Sequence, residues 1–325
     1  MADSLRAFSR GTTGSAGGAG TPHSAHPAEV NWSRRRFLGG AAAVGVLGVG
    51  AAACGGGSGS AASTGTNTVG AAPAVAGGTG SSASASAGAS ASSGAVDADL
   101  IAQKYSGLKP FAAPPAPPAV KPLTLSAADP TVISRIPTTE KIVFVTIDDG
   151  LEKEPAFIQM AKDFQVPYTL FLTDAIIKDN YGYFTQLLDT GLVTIQNHTL
   201  THPDMHTLSA AQQLEQVSGQ QHKLETEYGV KPYLFRPPYG NYNSGTISAV
   251  KQTSGLKGIA LWKESMQISD MQYQGAHVLN PGDVILSHFR GPAQLKGETM
   301  IGMMVHLFKR IQAQGFTIAR LTDYV

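Results

Sequence analysis

Two pairs of residues in this sequence have types and spacing that suit a metal-assisted hydrolysis. His198 and His202 are four residues apart, which places two imidazoles on one face of a helical turn or within one tight loop. Two surface histidines are the alternative interpretation, because a chain with nine histidines often contains such a pair. Asp148 and Asp149 are adjacent, so one carboxylate could bind a metal while the other acts as a general base on water. A simple turn after a strand is the alternative for these acids.

These polar residues all follow segments that are predicted to be strands. Asp148 and Asp149 follow the apolar run at 143–147, and the two histidines follow the run at 193–196. Arg236 follows 233–235 and His288 follows 284–286. In a parallel barrel the carboxyl ends of the strands share one rim. We therefore expect these side chains to converge, although they lie far apart in the sequence.

Strands and helices alternate along the second half of the chain. Helical periodicity and a capping box at 209–212 predict four helices, at 155–164, 181–188, 209–227 and 300–313. Short apolar runs predict seven strands, at 142–145, 168–172, 192–195, 232–235, 258–261, 284–286 and 316–319. This alternation indicates a parallel α/β arrangement that is closed or nearly closed.

The beginning of the chain has the composition of an export signal. Residues 33–38 read Ser-Arg-Arg-Arg-Phe-Leu and precede a Gly/Ala/Val run at 39–53, as in a twin-arginine secretory signal. Cys54, the only cysteine, follows three alanines, which is similar to a bacterial lipoprotein cleavage box. We expect residues 1–53 to be removed and Cys54 to carry a lipid that anchors the protein to the outer face of the membrane. A plain cleaved signal that leaves Cys54 as a free thiol, with a secreted product, is the alternative.

Composition separates the remaining chain into a tether and a folded part. Residues 54–96 are almost entirely Gly, Ser, Ala and Thr and predict a disordered linker, because they offer little apolar surface to bury. Residues 97–140 are predicted to be a Pro-rich extension and residues 141–325 the folded domain. The formal net charge of +1 argues against a nucleic-acid partner, and the lone cysteine excludes a disulfide framework. We expect a monomer.

Four segments together resemble the motifs of a known family. They are Thr-Ile-Asp-Asp-Gly at 146–150, His-Thr-Leu-Thr-His at 198–202, Arg-Pro-Pro-Tyr-Gly at 236–240 and Leu-Ser-His at 286–288. Their order and spacing resemble four of the five motifs of the polysaccharide deacetylases, carbohydrate esterase family four. The resemblance covers about residues 141–325 and implies a distorted (β/α) barrel with seven or eight strands.

The resemblance also implies a metal site. Asp149, His198 and His202 would bind one divalent metal, which we expect to be zinc, with cobalt as the alternative. Asp148 would be the base that acts on water, and Arg236 would orient Asp148 through a charge-assisted hydrogen bond. The alternative for Arg236 is an exposed arginine on the surface with no role in the site.

Further residues are implied to act on the substrate. His288 would protonate the leaving amine, and the backbone N–H of Tyr239 would help to stabilise the tetrahedral oxyanion. Leu286, Pro237 and Trp262 are expected to contact substrate, with Leu286 lining the pocket for the acetyl methyl group. Trp262 could instead pack beneath the site.

The chain departs from the family pattern at the fourth motif. Trp262 is followed by Lys-Glu-Ser-Met rather than by the usual acid-rich segment. In the family an Asp in that segment tunes the general-acid histidine. Here Glu264 or Asp270 would act on His288, or neither would.

Two functional hypotheses follow. The first is a metal-dependent hydrolase that removes N-acetyl groups, with O-acetyl groups as an alternative, from a cell-envelope or extracellular polysaccharide. The second is a catalytically weakened lipoprotein that binds glycan or metal on the same fold. Complete metal and base residues favour the first hypothesis, and the altered fourth motif gives weight to the second.

Overall fold

The computed structural model describes residues 98–325. The predictions for residues 1–53 and 54–96, including the export signal and Cys54, lie outside the described residues. Within the part of the chain that is described, no helix is both long enough and apolar enough to cross a membrane.

Helices and strands alternate between residues 142 and 260, as the sequence predicts, whereas the four strands between residues 258 and 288 follow one another without a helix. The helices are α1 Ala98–Lys104, α2 Pro155–Phe164, α3 Asp174–Ile177, α4 Tyr181–Leu188, α5 Ala210–Tyr228, α6 Ser244–Gln252 and α7 Met300–Ala313. The strands are β1 Thr131–Ile133, β2 Ile142–Asp149, β3 Tyr168–Leu172, β4 Val193–Asn197, β5 Leu234–Phe235, β6 Gly258–Ala260, β7 Glu264–Gln267, β8 Asp270–Tyr273, β9 Val284–His288 and β10 Thr317–Ile318. The four predicted helices are confirmed within a residue or so of their predicted bounds, and each of the seven predicted strands has a counterpart. Strands β1, β7 and β8 are additional.

The strands form one curled sheet with the order β1-β6-β5-β4-β3-β2-β9-β7-β8, and β10 pairs with the beginning of β2. Every pairing between these strands is parallel except that of β7 with β8, which form an antiparallel hairpin. No pairing joins β1 to β8 among the described strands, so the sheet curls without closing. The distorted (β/α) barrel is confirmed.

The two faces of strand β2 contact different parts of the molecule. Val143, Val145 and Ile147 lie in the core cluster between the sheet and its helices. The alternate residues point to the other face, where Ile142 and Phe144 belong to a second apolar cluster inside the curl. Further along the same face come Thr146 and then Asp148. The inner face of the barrel is thus apolar at its floor and polar at its rim.

Part of the predicted Pro-rich extension packs against the barrel. Ile101, Tyr105 and Leu108 are buried in the main core cluster. Lys121 donates hydrogen bonds to the carbonyl oxygens of Thr322 and Val325 near the end of the chain. The segment before residue 141 therefore contributes core residues as well as the edge strand β1.

Candidate metal centre and active site

Three predicted metal ligands meet at the rim of the barrel. Asp149 ends β2, His198 directly follows β4, and His202 lies four residues further along. The Oδ1 atom of Asp149 is 3.2 Å from Nε2 of His202 and 3.6 Å from Nε2 of His198. One ligand atom from each residue lies within 4.8 Å of the others. The sequence spacing therefore corresponds to a real cluster of one carboxylate and two imidazoles.

The chemistry of this cluster fits a divalent cation. Ligand atoms about 2.1 Å from a tetrahedral metal lie roughly 3.4 Å apart, close to the distances found here. Nδ1 of His198 lies 2.8 Å from the carbonyl oxygen of Arg236, which can only accept a hydrogen bond. Nδ1 must then carry the proton, which leaves the lone pair of Nε2 facing Asp149. The Oδ1 atom of Asp149 is buried and has no hydrogen-bond partner among the described residues, as expected of an atom that would bind a metal.

The charge state of Asp149 also suits a ligand. Burial opposes its ionisation, but the neighbouring imidazoles of His198 and His202 outweigh burial and hold the pKa of Asp149 well below its usual range. For His198, burial favours the neutral ring, yet the charges of Asp148 and Asp149 leave its pKa raised. The cluster is therefore anionic at the carboxylate, and it attracts positive charge.

Left-handed backbone conformations are concentrated around this cluster. Four of the eight non-glycine residues with positive φ in the described chain lie here: Asp149 (74°), Thr199 (71°), His202 (59°) and Tyr239 (61°). Such conformations are costly for residues with a Cβ atom and persist only when surrounding contacts impose them. The loop that carries the two histidines is therefore held in place by its neighbours.

Asp148 has a different environment from Asp149. It is 2% exposed, and its Oδ1 accepts a hydrogen bond of 2.7 Å from Nη1 of Arg236. Arg236 is fully buried, donates also to Thr146 Oγ1 and to the carbonyl oxygen of Ala260, and lies 4.1 Å over the ring of Phe171. Burial lowers the pKa of Arg236, and the charge of Asp148 opposes that shift. The two adjacent acids are thus distinguished by tertiary contacts, and the surface alternative for Arg236 is wrong.

His288 ends β9 directly beside Asp148, since the two residues are partners in the β2–β9 register. Its Nδ1 atom is buried and has no hydrogen-bond partner among the described residues. Burial lowers the pKa of His288 to about 4, although the nearby Asp149 charge acts in the opposite direction. An uncompensated histidine of this kind is neutral at neutral pH.

Neither acid suggested by the sequence reaches His288. Glu264 is buried beside Asp283 and lies opposite Ile285 in the β7–β9 register, three residues and about 10 Å before His288 at 3.3 Å per residue. Asp270 forms an exposed ion pair of 3.0 Å with Arg310 on α7. Of the alternatives left open by the sequence, the arrangement favours the one in which neither acid acts on His288.

The β7–β9 register, extended two residues beyond its last pair, points to a glutamine on the same face as His288. Strands β7 and β9 are parallel, with Ser265 opposite Leu286. Two residues further along each strand, Gln267 and His288 lie on the same face as that pair, and Gln267 donates a hydrogen bond of 3.0 Å to Ser265 Oγ. Sequence reasoning missed Gln267, and the only available signal was the alternation of buried and half-buried residues along β7.

The residues expected to contact substrate are placed differently from one another. The Tyr239 side chain is 62% exposed and its ring lies 4.9 Å from that of His202, so it stands at the mouth of the site. Its N–H is the first backbone donor after two prolines, which have none. Pro237 and Leu286 are buried. Trp262 is half-buried beneath Gly240 and 5.6 Å from the Arg236 guanidinium, which is a packing position.

Fold and site together define a (β/α)-barrel protein with a candidate Asp-His-His metal centre and a buried Asp-Arg pair at its rim. A family profile described as polysaccharide deacetylase matches residues 135–257. An uncharacterised protein of Streptomyces coelicolor is 33% identical over 60% of this chain and 78% of its own length. The chain belongs to the polysaccharide deacetylase family, carbohydrate esterase family 4.

Two other similar proteins are a deacetylase and a pseudoenzyme. A peptidoglycan-N-acetylglucosamine deacetylase of Bacillus cereus is 25% identical over 58% of this chain and 92% of its own length. The crystal structure of a carbohydrate esterase family 4 pseudoenzyme from Bacillus anthracis has a TM-score of 0.51 at 21% identity and covers 60% of this chain and 69% of that one. The second likeness concerns the fold alone. The family profile ends before β9, so His288 lies outside the matched residues.

Proposed function

We propose that this protein is a metal-dependent hydrolase that removes N-acetyl groups from an extracellular or cell-envelope polysaccharide. The single observation that carries the proposal is the pairing of two distinct carboxylates at one strand end. Asp149 lies beside both imidazoles, whereas Asp148 is held by a buried arginine and lies near only the His198 imidazole, at 3.7 Å. A site built only to bind a metal would have no need for the second, separately held acid.

Asp149, His198 and His202 would hold the metal. A divalent cation bound there supplies a Lewis acid that lowers the pKa of a water toward about 7 and polarises the amide carbonyl. Zinc is our first expectation because a carboxylate and two imidazoles suit it, and cobalt is the alternative.

The remaining steps belong to the chain's own side chains. Asp148, oriented by Arg236, accepts the proton of the attacking water. The backbone N–H of Tyr239 donates to the oxyanion, and Leu286 lines the space for the acetyl methyl. His288 gives a proton to the leaving amine, so that one amide and one water become acetate and a free amine. Asp148 and His288 are neighbours in the β2–β9 register, which supports their assignment as base and acid.

The two aspartates provide the test. Asp149→Asn should lose metal and acetate release together, whereas Asp148→Asn should keep one equivalent of metal and lose at least about 10²-fold in rate. Metal content and acetate release from an N-acetylglucosamine oligomer are measured on both variants. The exposed Asp189→Asn serves as a matched control and should resemble wild type. If Asp148→Asn loses metal while Asp149→Asn keeps it, the roles are reversed; if neither changes acetate release, the hydrolase proposal fails.

One observation supports the second hypothesis, a weakened enzyme that mainly binds glycan or metal. The general-acid candidate His288 has a lowered pKa and no acidic partner among the described residues. A chain with stoichiometric metal, measurable glycan binding and no acetate release between pH 5 and 8 would establish this function in place of hydrolysis.

We further propose that the protein is exported and held at the outer face of the membrane by a lipid on Cys54. The arginine-rich segment at 33–38 and the position of the lone cysteine support this. Wild type should partition with membranes, and Cys54→Ser should be released or remain unprocessed. A mature N-terminus mapped beyond Cys54 would contradict the proposal.

A further inference from the structure

The face of α5 that packs against the barrel is unusually polar. Its buried residues follow the spacing of one helix face and are Gln213, Val217, Gln220, Gln221 and Leu224. Three of these five are glutamines, where a helix against a sheet normally presents apolar side chains. A buried amide costs free energy unless its donors and acceptors are satisfied, so these glutamines must have specific partners.

The partners of Gln220 and Gln221 include the carboxyl ends of β3 and β4, which form part of the rim. Gln220 donates to the carbonyl oxygen of Leu172 at the end of β3 and accepts from the N–H of Asp174. Gln221 accepts from the side chain of Asn197, which ends β4, and donates to the carbonyl oxygen of Pro232 before β5. Helix α5 therefore ties the carboxyl ends of β3 and β4 to the segment that precedes β5 by amide hydrogen bonds.

Gln216 lies one turn away and contacts the histidine loop itself. Its side-chain Oε1 accepts hydrogen bonds from the backbone N–H of Thr201 at 2.9 Å and from Thr201 Oγ1 at 3.2 Å. Its main-chain carbonyl accepts from the N–H of Leu200 at 3.1 Å. Leu200 and Thr201 are two of the three residues between His198 and His202.

Of the two histidines in the loop, His202 depends more on such a restraint than His198 does. Nδ1 of His198 is anchored by the carbonyl oxygen of Arg236, and the ring is 2% exposed. The His202 ring is 21% exposed, and its backbone has a left-handed φ of 59°. The N–H of His202 is held only within the loop, by Thr199 Oγ1, so the loop's external contacts decide where His202 points.

A close steric contact supports the same arrangement. A Cβ atom on Gly219 would lie 2.3 Å from Cδ1 of Leu200, so the glycine allows the loop to rest directly on α5. The Leu200 carbonyl in turn accepts from the N–H of Ala175 in α3. Leu200 is thus fixed between two helices, and Gln216 fixes the residue that follows.

We propose that Gln216 is a positioning residue for the Asp-His-His metal site. Its Oε1 atom sets the conformation of Thr201 and through it the direction of the His202 imidazole. The hydrogen bonds of Gln216 to the histidine loop go to Leu200 and Thr201, which are not among the three candidate ligands. This proposal rests on the proposed function insofar as that function assigns a metal to the site. Outer contacts of metal ligands are typically worth 10- to 100-fold in metal affinity, and we expect an effect in this range.

The test compares a variant that keeps a hydrogen-bond acceptor at position 216 with a variant that lacks it. Gln216→Glu keeps an acceptor oxygen at the Oε1 position and replaces the amide nitrogen by a second oxygen, whereas Gln216→Met keeps the size of the side chain and removes the acceptor. The Kd for Zn²⁺ is measured by chelator competition on purified full-length protein, and the urea unfolding of the metal-free protein is measured in parallel. We expect Gln216→Met to weaken Zn²⁺ binding 10- to 100-fold and Gln216→Glu to remain within about threefold of wild type. Gln186→Met, at an exposed position of α4, is the matched control.

Each other outcome overturns the proposal. Equal Zn²⁺ affinity in wild type and Gln216→Met would do so while leaving the proposed function intact. Lower stability of metal-free Gln216→Met with unchanged affinity would show a merely structural role. If Gln216→Met does not fold, Gln216→Ala is used in the same comparison, since the position is only half-buried. A wild-type protein that binds no Zn²⁺ and releases no acetate would remove the proposed function and this proposal together.

Discussion

Replacing Gln267 by Glu should restore an acidic partner to the general-acid candidate. Gln267 on β7 lies on the same face as His288 on β9, two residues beyond the Ser265–Leu286 pair. The buried Nδ1 of His288 has no partner among the described residues, and burial lowers its pKa to about 4. A carboxylate beside this ring would stabilise the imidazolium, because an opposite charge within a few ångströms shifts a pKa by about 1–3 units.

The magnitude follows from the protonated fraction. At pH 6 a histidine with a pKa of about 4 is protonated in roughly 1% of molecules. A rise to between about 5 and 7 increases that fraction to roughly 10–90%. If the protonated ring donates to the leaving amine, wild-type activity falls about tenfold per pH unit above pH 4, and the fall begins 1–3 pH units later in Gln267→Glu. At pH 6 the variant should be roughly 10- to 90-fold faster.

The assay combines kinetics with a direct titration. Acetate release is followed from pH 4 to 8 in wild type, Gln267→Glu and the neutral Gln267→Leu, and the His288 ring is titrated by NMR in the same proteins. Gln186→Glu adds the same charge at an exposed site and should leave both curves unchanged. An unaltered His288 titration in Gln267→Glu would refute the register argument. Full wild-type activity at pH 8 would refute the requirement for a protonated His288.

Three further predictions concern stability. Arg236→Met should lower the free energy of unfolding by about 3–5 kcal/mol, measured by urea titration, because Asp148 would remain buried without its cation; a loss below about 1 kcal/mol would contradict this. Burial beside Asp283 raises the pKa of Glu264 to about 9, so the native state retains a proton that the unfolded state loses above about pH 4.5, and stability should fall as pH rises from about 4.5 to 9. Glu264→Gln should flatten that decline in pH-dependent thermal unfolding, and an unchanged slope would assign it to other groups. Ser209→Ala should cost about 1 kcal/mol, since it removes the N-cap of α5, whereas Ser209→Asp should cost less.

The sequence determined the parts of this protein that depend on local periodicity. Apolar runs of strand length, amphipathic helical segments and the capping box at Ser209 place the main elements correctly, because each depends on contacts between near neighbours in the chain. Parallel strands share one rim, so the polar residues that follow them had to converge there. Asp148, Asp149, His198 and His202 could be grouped in this way from the sequence, and only the resemblance to the family's motifs implied Asp149 as the metal ligand.

Tertiary structure alone decided how these residues differ from one another. Asp148 and Asp149 are identical side chains in adjacent positions, and only the approach of Arg236 from β5 distinguishes one from the other. The register of β7 against β9 places Glu264 opposite Ile285, three residues before His288, and only an extension of that register brings Gln267 toward His288. A strand of four residues with weak alternation carries too little local signal to specify its partner or register.

The support of the histidine loop was equally invisible in the sequence. A glutamine on an amphipathic helix is normally exposed, and nothing local to α5 indicates that three of its glutamines are buried or that Gln220 and Gln221 bond to the ends of β3 and β4. Their burial is set by the docking of α5 on β3, β4 and β5, and the left-handed residues of the loop persist because that docking restrains them. Local patterns in the chain determined which residues reach the rim. Long-range contacts decided which of these residues are charged, which are restrained by hydrogen bonds and which have no partner. The reason is that the pKa and the orientation of a side chain depend on neighbours that are distant in the sequence.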